Sequence, residues 1–148
     1  MTFTPDGKCL ASGSSDNTAR LWDPTSGTSI RTLQGHSDEV QAMAFSPDGS
    51  RLASGSRDNM ARLWGPTNGA CLGTLQGHTS WVDFVVFSPD GKHFASGCNG
   101  TVRLWGPTTG ASLRTLQGRS CGVRVVAFSP NGNTLHLGPE TTLSGSGI

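Results

Sequence analysis

Short apolar runs alternate with polar positions along the chain, and clusters of Gly, Pro, Asp, Asn and Ser break them at close intervals. The central stretch shows the grammar. Val40-Gln41-Ala42-Met43-Ala44-Phe45 alternates with a period of two, the spacing of a half-buried strand. Ser46-Pro47-Asp48-Gly49 then reads as a turn, because Pro presets φ, Asp bonds its own backbone and Gly takes positive φ. A second strand of small residues is predicted over Arg51–Ser56, a turn at Arg57-Asp58-Asn59, and a third strand over Met60–Trp64. Gly65-Pro66-Thr67-Asn68-Gly69 turns again, and Ala70–Leu75 makes a fourth strand at an outer edge. No segment carries a helical apolar period of useful length. The fold class is therefore all-β.

The same text recurs. Pro5, Pro47, Pro89 and Pro130 open equivalent turns at spacings of 42, 42 and 41 residues. Trp22, Trp64 and Trp105 step by 42 and 41, and Gly35-His36 is followed 42 residues later by Gly77-His78. The repeats run 3–44, 45–86 and 87–127, with a partial copy at 128–139. The first copy keeps only Met1-Thr2-Phe3 of its innermost strand, and the third has lost a residue at Cys98-Asn99-Gly100. The last copy has an innermost strand at Val123–Phe128 and a turn at Pro130-Asn131-Gly132, then departs after Leu135. Residues 140–148 are expected to be a disordered tail.

A period of about 40–45 residues carrying Gly-His and Trp-Asp-type signatures resembles the WD-repeat family, over nearly the full chain. That resemblance implies tandem four-stranded antiparallel blades of a β-propeller, here incomplete at about three blades. The near-identity of adjacent copies is similar in style to the arrays of fungal NACHT–WD-repeat proteins. The family's Gly-His histidine, second-strand hydroxyl, hairpin Asp and third-strand Trp form a buried hydrogen-bonded network. By resemblance this assigns His36, Ser54, Asp58 and Trp64 to one network, with Ser56 a nearby alternative hydroxyl, and His78, Ser96, Asn99 and Trp105 to the next. Ser12, Asp16 and Trp22 are the counterparts in the first copy. The Trp-Asp dipeptide itself survives only at Trp22-Asp23, and the last Gly-His reads Gly118-Arg119, so the network weakens toward the C-terminus.

His, Ser and Asp at fixed offsets also suggest a hydrolase triad. A set copied once per repeat argues for structure instead, and there is no Gly-x-Ser-x-Gly elbow leading into a helix. No catalytic residue is expected. Positions that differ between copies while the framework repeats are the better functional candidates. Before the innermost strands these are Glu39 and Gln41, Trp81 and Asp83, and Arg124; before the hairpin turns they include Ser15 and Arg57. In the resembled family this face docks peptides and domains, so proteins or peptides are the expected partners. Trp81 stands out because Trp and Arg dominate interface energetics.

Composition narrows the field. A formal net charge of +1 gives no reason to expect nucleic acid or an acidic membrane surface. No apolar run approaches bilayer-spanning length, and Met1 leads straight into repeat text, which sets the expectation of a cytoplasmic protein. Cys9, Cys71, Cys98 and Cys121 show no metal-type spacing and are expected as buried or half-buried free thiols. No cofactor is expected. Propellers close with 4–8 blades. About three blades therefore suggest a piece of a longer propeller, a head-to-tail dimer in which the spare strand Val123–Phe128 completes the first blade of its partner, or an open array. A truncated chain without independent function is the alternative to a scaffold.

Overall fold

The computed structural model describes residues 1–98, 100–117, 125–138 and 141–144. These residues fold into four antiparallel sheets in chain order. The first holds β1 (Thr2–Phe3), β2 (Leu10–Gly13), β3 (Ala19–Trp22) and β4 (Ser29–Leu33). The second holds β5 (Val40–Phe45), β6 (Leu52–Ser56), β7 (Ala61–Trp64) and β8 (Cys71–Leu75). The third holds β9 (Phe84–Phe87), β10 (Phe94–Cys98), β11 (Thr101–Trp105) and β12 (Ser112–Gln117). The fourth has three strands, β13 (Val125–Phe128), β14 (Thr134–Gly138) and β15 (Thr141–Ser144). Among the described residues there is no helix long and apolar enough to cross a membrane.

Each sheet is a meander whose turns follow from local chemistry. In the turn after β5, Ser46 Oγ donates to Asp48 at 2.6 Å, the Ser50 amide donates to the same carboxylate at 3.0 Å, and Gly49 sits at φ 71°. These bonds, led by the one from Ser46, hold the Asp48 pKa down to about 2. Asn59 takes φ 68° in the turn after β6, a conformation that Asn tolerates better than most residues. A register shift precedes every blade tryptophan, at Leu21/Trp22, Leu63/Trp64 and Leu104/Trp105. A bulge of this kind re-aims one side chain.

The cores lie between consecutive sheets. Ala11, Leu21 and Leu33 of the first sheet pack with Val40, Leu52 and Trp64 of the second. Leu63 and Leu75 of the second pack with Val85, Phe94 and Trp105 of the third, and Leu104 and Val102 of the third meet Leu135 of the fourth. A sheet here covers its apolar face only by having a neighbour. The small residues of β6 and β10 are buried at every position, which lets the next chain segment cross close to them. A Cβ at Gly55 would lie 2.7 Å from Val82 Cγ1 and 3.0 Å from Val82 O. The Val82 amide also donates to Ser56 O at 3.0 Å, as the Val40 amide does to Ser14 O. A backbone bond thus stitches the first sheet to the second and the second to the lead-in of the third.

Three expectations need correction. In the sequence the last copy departs from the repeat after Leu135, and residues 140–148 are expected as a disordered tail. Instead β14 continues past Leu135 to Gly138, and Thr141–Leu143 pairs with Leu137–Leu135. Thr141 and Thr142 suit a strand, and the open edge of β14 supplies unpaired backbone groups to one more segment. Residues 139, 140 and 145–148 lie outside the described residues. Second, the innermost strand of the last copy is not spare, because Val125–Phe128 pairs throughout with Gly138–Leu135. In the first sheet β1 already lies on β2 through Thr2 opposite Ala11 and Phe3 opposite Leu10. The strand count behind the exchange dimer therefore does not hold. Third, Cys71 is exposed on the outer strand β8, where the edge leaves its side chain to solvent; Cys9 is half-buried and Cys98 buried. Cys121 lies outside the described residues.

The close crossing at Gly55 gives a direct test. Gly55→Ala is expected to cost about 1–3 kcal/mol by overpacking, seen as a lower urea midpoint at unchanged slope. An unchanged midpoint would show that Val82 can withdraw by the width of a methyl group.

Candidate functional site

Two groups of side chains stand out, one buried and one on the surface. The buried group begins with Trp64, aimed by its bulge. Trp64 Nε1 donates to Ser54 Oγ at 2.8 Å, and Ser54 Oγ is 2.7 Å from His36 Nε2. His36 Nδ1 lies 2.7 Å from Asp58 Oδ2, which also accepts the Ser37 amide at 3.1 Å. The donors run in one direction. Indole N–H donates to hydroxyl, hydroxyl O–H to imidazole, and imidazole Nδ1–H to carboxylate, so every donor of the relay has an acceptor and none is orphaned. Ser56 has a separate job: its hydroxyl donates to Asp38 O at 2.9 Å and accepts the Asp58 amide at 3.1 Å.

Burial holds the His36 pKa below its ordinary value, with Arg62 adding to the effect and Asp58 opposing it. Burial works to raise the Asp58 pKa, but the bonds from His36 and the Ser37 amide outweigh it, and the carboxyl stays below the ordinary range. At neutral pH the contact is accordingly a neutral imidazole donating to a carboxylate, not an ion pair. The connectivity of Asp58, His36 and Ser54 is that of a hydrolase triad. Its chemistry is not, because Ser54 is 0% exposed and its oxygen already holds an indole N–H.

The third sheet departs in an instructive way. Trp105 Nε1 donates to Ser96 Oγ at 2.8 Å and Ser96 Oγ lies 2.7 Å from His78 Nε2, as before. The partner of His78 Nδ1, however, is Cys98 Sγ at 3.1 Å. The resemblance assigned this place to Asn99, which lies outside the described residues. The shortened turn accounts for the exchange: Cys98 pairs directly with Thr101, so the last residue of β10 reaches the imidazole. Sulfur is a weaker acceptor than a carboxylate. Without a carboxylate to oppose it, burial lowers the His78 pKa to about 4, helped by Arg103. Burial likewise raises the Cys98 thiol pKa, so it is no activated nucleophile.

In the first sheet Trp22 Nε1 donates to Ser12 Oγ at 2.9 Å. Asp16 here takes Arg20 Nη2 at 2.6 Å and Thr18 Oγ1 at 2.6 Å. The Asp16–Arg20 pair is exposed, so water and salt screen it and it contributes little to stability.

The surface group gathers four of the seven candidate docking residues. Arg57, in the turn between β6 and β7, carries its guanidinium 4.5 Å above the indole of Trp81, in the lead-in to β9. Arg57 Nη1 donates to Glu39 Oε2 at 3.0 Å. With the Gln41 amide assigned so that its oxygen faces Arg57, that oxygen accepts from Nε at 2.6 Å and Nη2 at 3.0 Å. The guanidinium is thus fixed by Glu39 and Gln41 on one side and the Trp81 ring on the other, across the junction of the second and third sheets. Trp81 remains 51% exposed. Asp83, two residues on, is exposed, and Ser15 is exposed on the turn of the first sheet, apart from this cluster. Arg124 lies outside the described residues.

Cys98 was the partner the sequence did not reveal, since its copy-to-copy alignment placed it one residue before the network position. The one signal was the missing turn residue. Among the described residues no group of His, Cys, Asp and Glu side chains could hold a metal ion.

Two outcomes follow from the buried relay. Ser54→Ala strands a buried indole N–H and a buried imidazole, and is expected to cost about 3 kcal/mol. Ser12→Ala, which serves an indole alone, should cost nearer 1 kcal/mol, and equal losses in urea melts would contradict the relay. The pH dependence has a definite sign. His78 is neutral when folded down to about pH 4, whereas unfolded it takes a proton near 6.5. Its contribution is complete above pH 6.5 and is lost as pH falls toward about 4, on the order of 3 kcal/mol. His36 acts in the same direction. Melts of His78→Gln between pH 7 and 4 should therefore show a flatter decline than the parent.

Comparison with known proteins agrees with this geometry. The family model described as the IFT122 first beta-propeller matches residues 1–142. A dynein assembly factor with WD repeat domains from Danio rerio is 41% identical over 44 residues, which is 30% of this chain and 11% of that protein. The Homo sapiens counterpart gives the same figures. A protein named probable serine/threonine-protein kinase PkwA, from Thermomonospora curvata, is 47% identical over 42 residues, 28% of this chain and 6% of that protein. Each match is the length of one repeat, and the matched part spans about a tenth or less of these relatives. A propeller model matched along nearly all of the repeats leaves one conclusion, that the chain belongs to the WD-repeat β-propeller family.

Proposed function

We propose that this chain is a non-catalytic protein–protein interaction scaffold that docks its partner on the surface carrying Glu39, Gln41, Arg57 and Trp81. WD-repeat propellers generally bind other proteins, and the repeats here keep their framework while changing at these positions. The observation that carries the reading is the indole of Trp81, 51% exposed yet fixed in place by Arg57. An aromatic side chain of low remaining freedom loses little entropy on binding, which is the behaviour of an interface anchor. The guanidinium over the ring is already satisfied by Glu39 and Gln41, so the platform needs no rearrangement to receive a partner. Asp83, two residues beyond Trp81, adds an exposed polar side chain, while Ser15 is exposed on the turn of the first sheet, apart from the cluster.

A hydrolytic function has the opposite support. Ser54 and Ser96, the hydroxyls set against histidines, are both 0% exposed. The folded protein is expected to resist labelling by a fluorophosphonate probe under conditions that label a control hydrolase.

The scaffold reading is tested by placing a photo-crosslinking amino acid at position 81, with position 8 on the opposite turns as control, and irradiating in cell lysate. Discrete adducts from position 81 that are absent from position 8 are expected. Trp81→Ala should melt within about 0.5 kcal/mol of the parent and lose capture of the same partner through a crosslinker moved to position 83. Equal labelling from positions 81 and 8 would overturn the reading.

A further inference from the structure

We infer that the ligand element received at Trp81 is a cationic side chain, an arginine or lysine on an extended basic segment of the partner; this rests on the scaffold reading above. Three observations point to a cation. The first is the ring itself. The face of an indole is electronegative and attracts a guanidinium or ammonium, and Arg57 already shows this ring holding one, 4.5 Å from its centroid. With Arg57 over the ring, 51% of Trp81 still faces solvent.

The second is the charge balance. The two lead-in segments that frame the cluster bring Asp38 and Glu39 on one side and Asp83 on the other, against the single cation of Arg57. Glu39 neutralises Arg57 at 3.0 Å. Asp38 has only its neighbour's amide on its carboxylate, at 2.8 Å, and both Asp38 and Asp83 are exposed. Among the described residues the cluster therefore carries two uncompensated negative charges beside an open aromatic surface.

The third is what an acidic partner would meet. A carboxylate aimed at Arg57 would have to displace Glu39 and Gln41, which together occupy Nε, Nη1 and Nη2. It would do so against the like charges of Asp38, Glu39 and Asp83, which repel it. A cation meets neither obstacle. The repulsion it feels from Arg57 is offset by the carboxylate already paired there.

The test uses the intact protein and three peptides, hexa-arginine, hexa-glutamine and hexa-glutamate, followed by NMR of the indole N–H signals. Trp22, Trp64 and Trp105 have their indole N–H bonded to serines and serve as internal references. Hexa-arginine is expected to shift the Trp81 indole signal in a saturable, salt-weakened way, while the three reference signals stay in place. Trp81→Ala should weaken hexa-arginine binding about fivefold, and the Asp38→Asn, Asp83→Asn double variant by a similar factor with the Trp81 signal otherwise intact. Hexa-glutamate shifting Trp81 as strongly as hexa-arginine, or no loss in the double variant, would overturn the inference. The crosslinked partner separates the two levels of the reading. Adducts at position 81 that map to a segment without Arg or Lys would leave the scaffold standing and remove the cation, whereas equal labelling at positions 81 and 8 removes both.

Discussion

The second and third sheets each depend on one buried hydroxyl held between an indole and an imidazole, Ser54 and Ser96. Ser54 has no access to water, yet it is bonded on one side to an indole and on the other to an imidazole. The small strand β6 leaves no room for a larger side chain, and the two rings are too polar to be buried unpaired. With serine there, Trp64 from the third strand, His36 from the preceding turn and Asp58 from the hairpin are locked into one relation. Those are three separate stretches of chain. The relay therefore fixes the blade's interior and also where its lead-in and hairpin loops emerge.

That last consequence links fold to function. Asp58 is held by His36, and Arg57 is its neighbour; Ser56 holds the carbonyl of Asp38, and Glu39 follows. The Arg57 amide donates to Glu39 O at 3.0 Å. The surface cluster at Arg57, Glu39 and Trp81 thus stands directly on the buried relay. A rigid interior presents variable side chains at set positions, which is how a repeated framework can carry a specific surface. The third sheet shows the tolerance of the arrangement. A one-residue deletion puts a thiol where a carboxylate stood, and the Trp105–Ser96–His78 part of the relay survives with a weaker terminal acceptor.

Much of this was legible in the residues. The period, the four strands per copy and the turn chemistry come from short-range rules: Pro, Asp and Gly act within a few positions, and alternation fixes which side of a strand faces inward. The membership of His36, Ser54, Asp58 and Trp64 in one network followed from the family resemblance. The errors have local causes too. Cys98 was missed because a deletion shifts register by one, and a register is settled by pairing with β11, not by alignment to another copy. The strand β15 was missed because Thr141–Ser144 lacks the repeat's signature, and an edge strand needs only a neighbour's open backbone groups.

The sequence by itself determined the elements and their order, because strand periodicity and turn formation depend on contacts a few residues apart. It also marked which positions vary on an otherwise repeated surface. Only the tertiary structure decided that four of those positions meet. Glu39, Gln41, Arg57 and Trp81 belong to two repeats and are brought together by the stitch from the Val82 amide to Ser56 O. It alone decided that Asp16 turns to Arg20 while Asp58 turns to His36, since an acidic side chain takes the partner that packing places within reach. Long-range partnership depends on distances that no local pattern encodes.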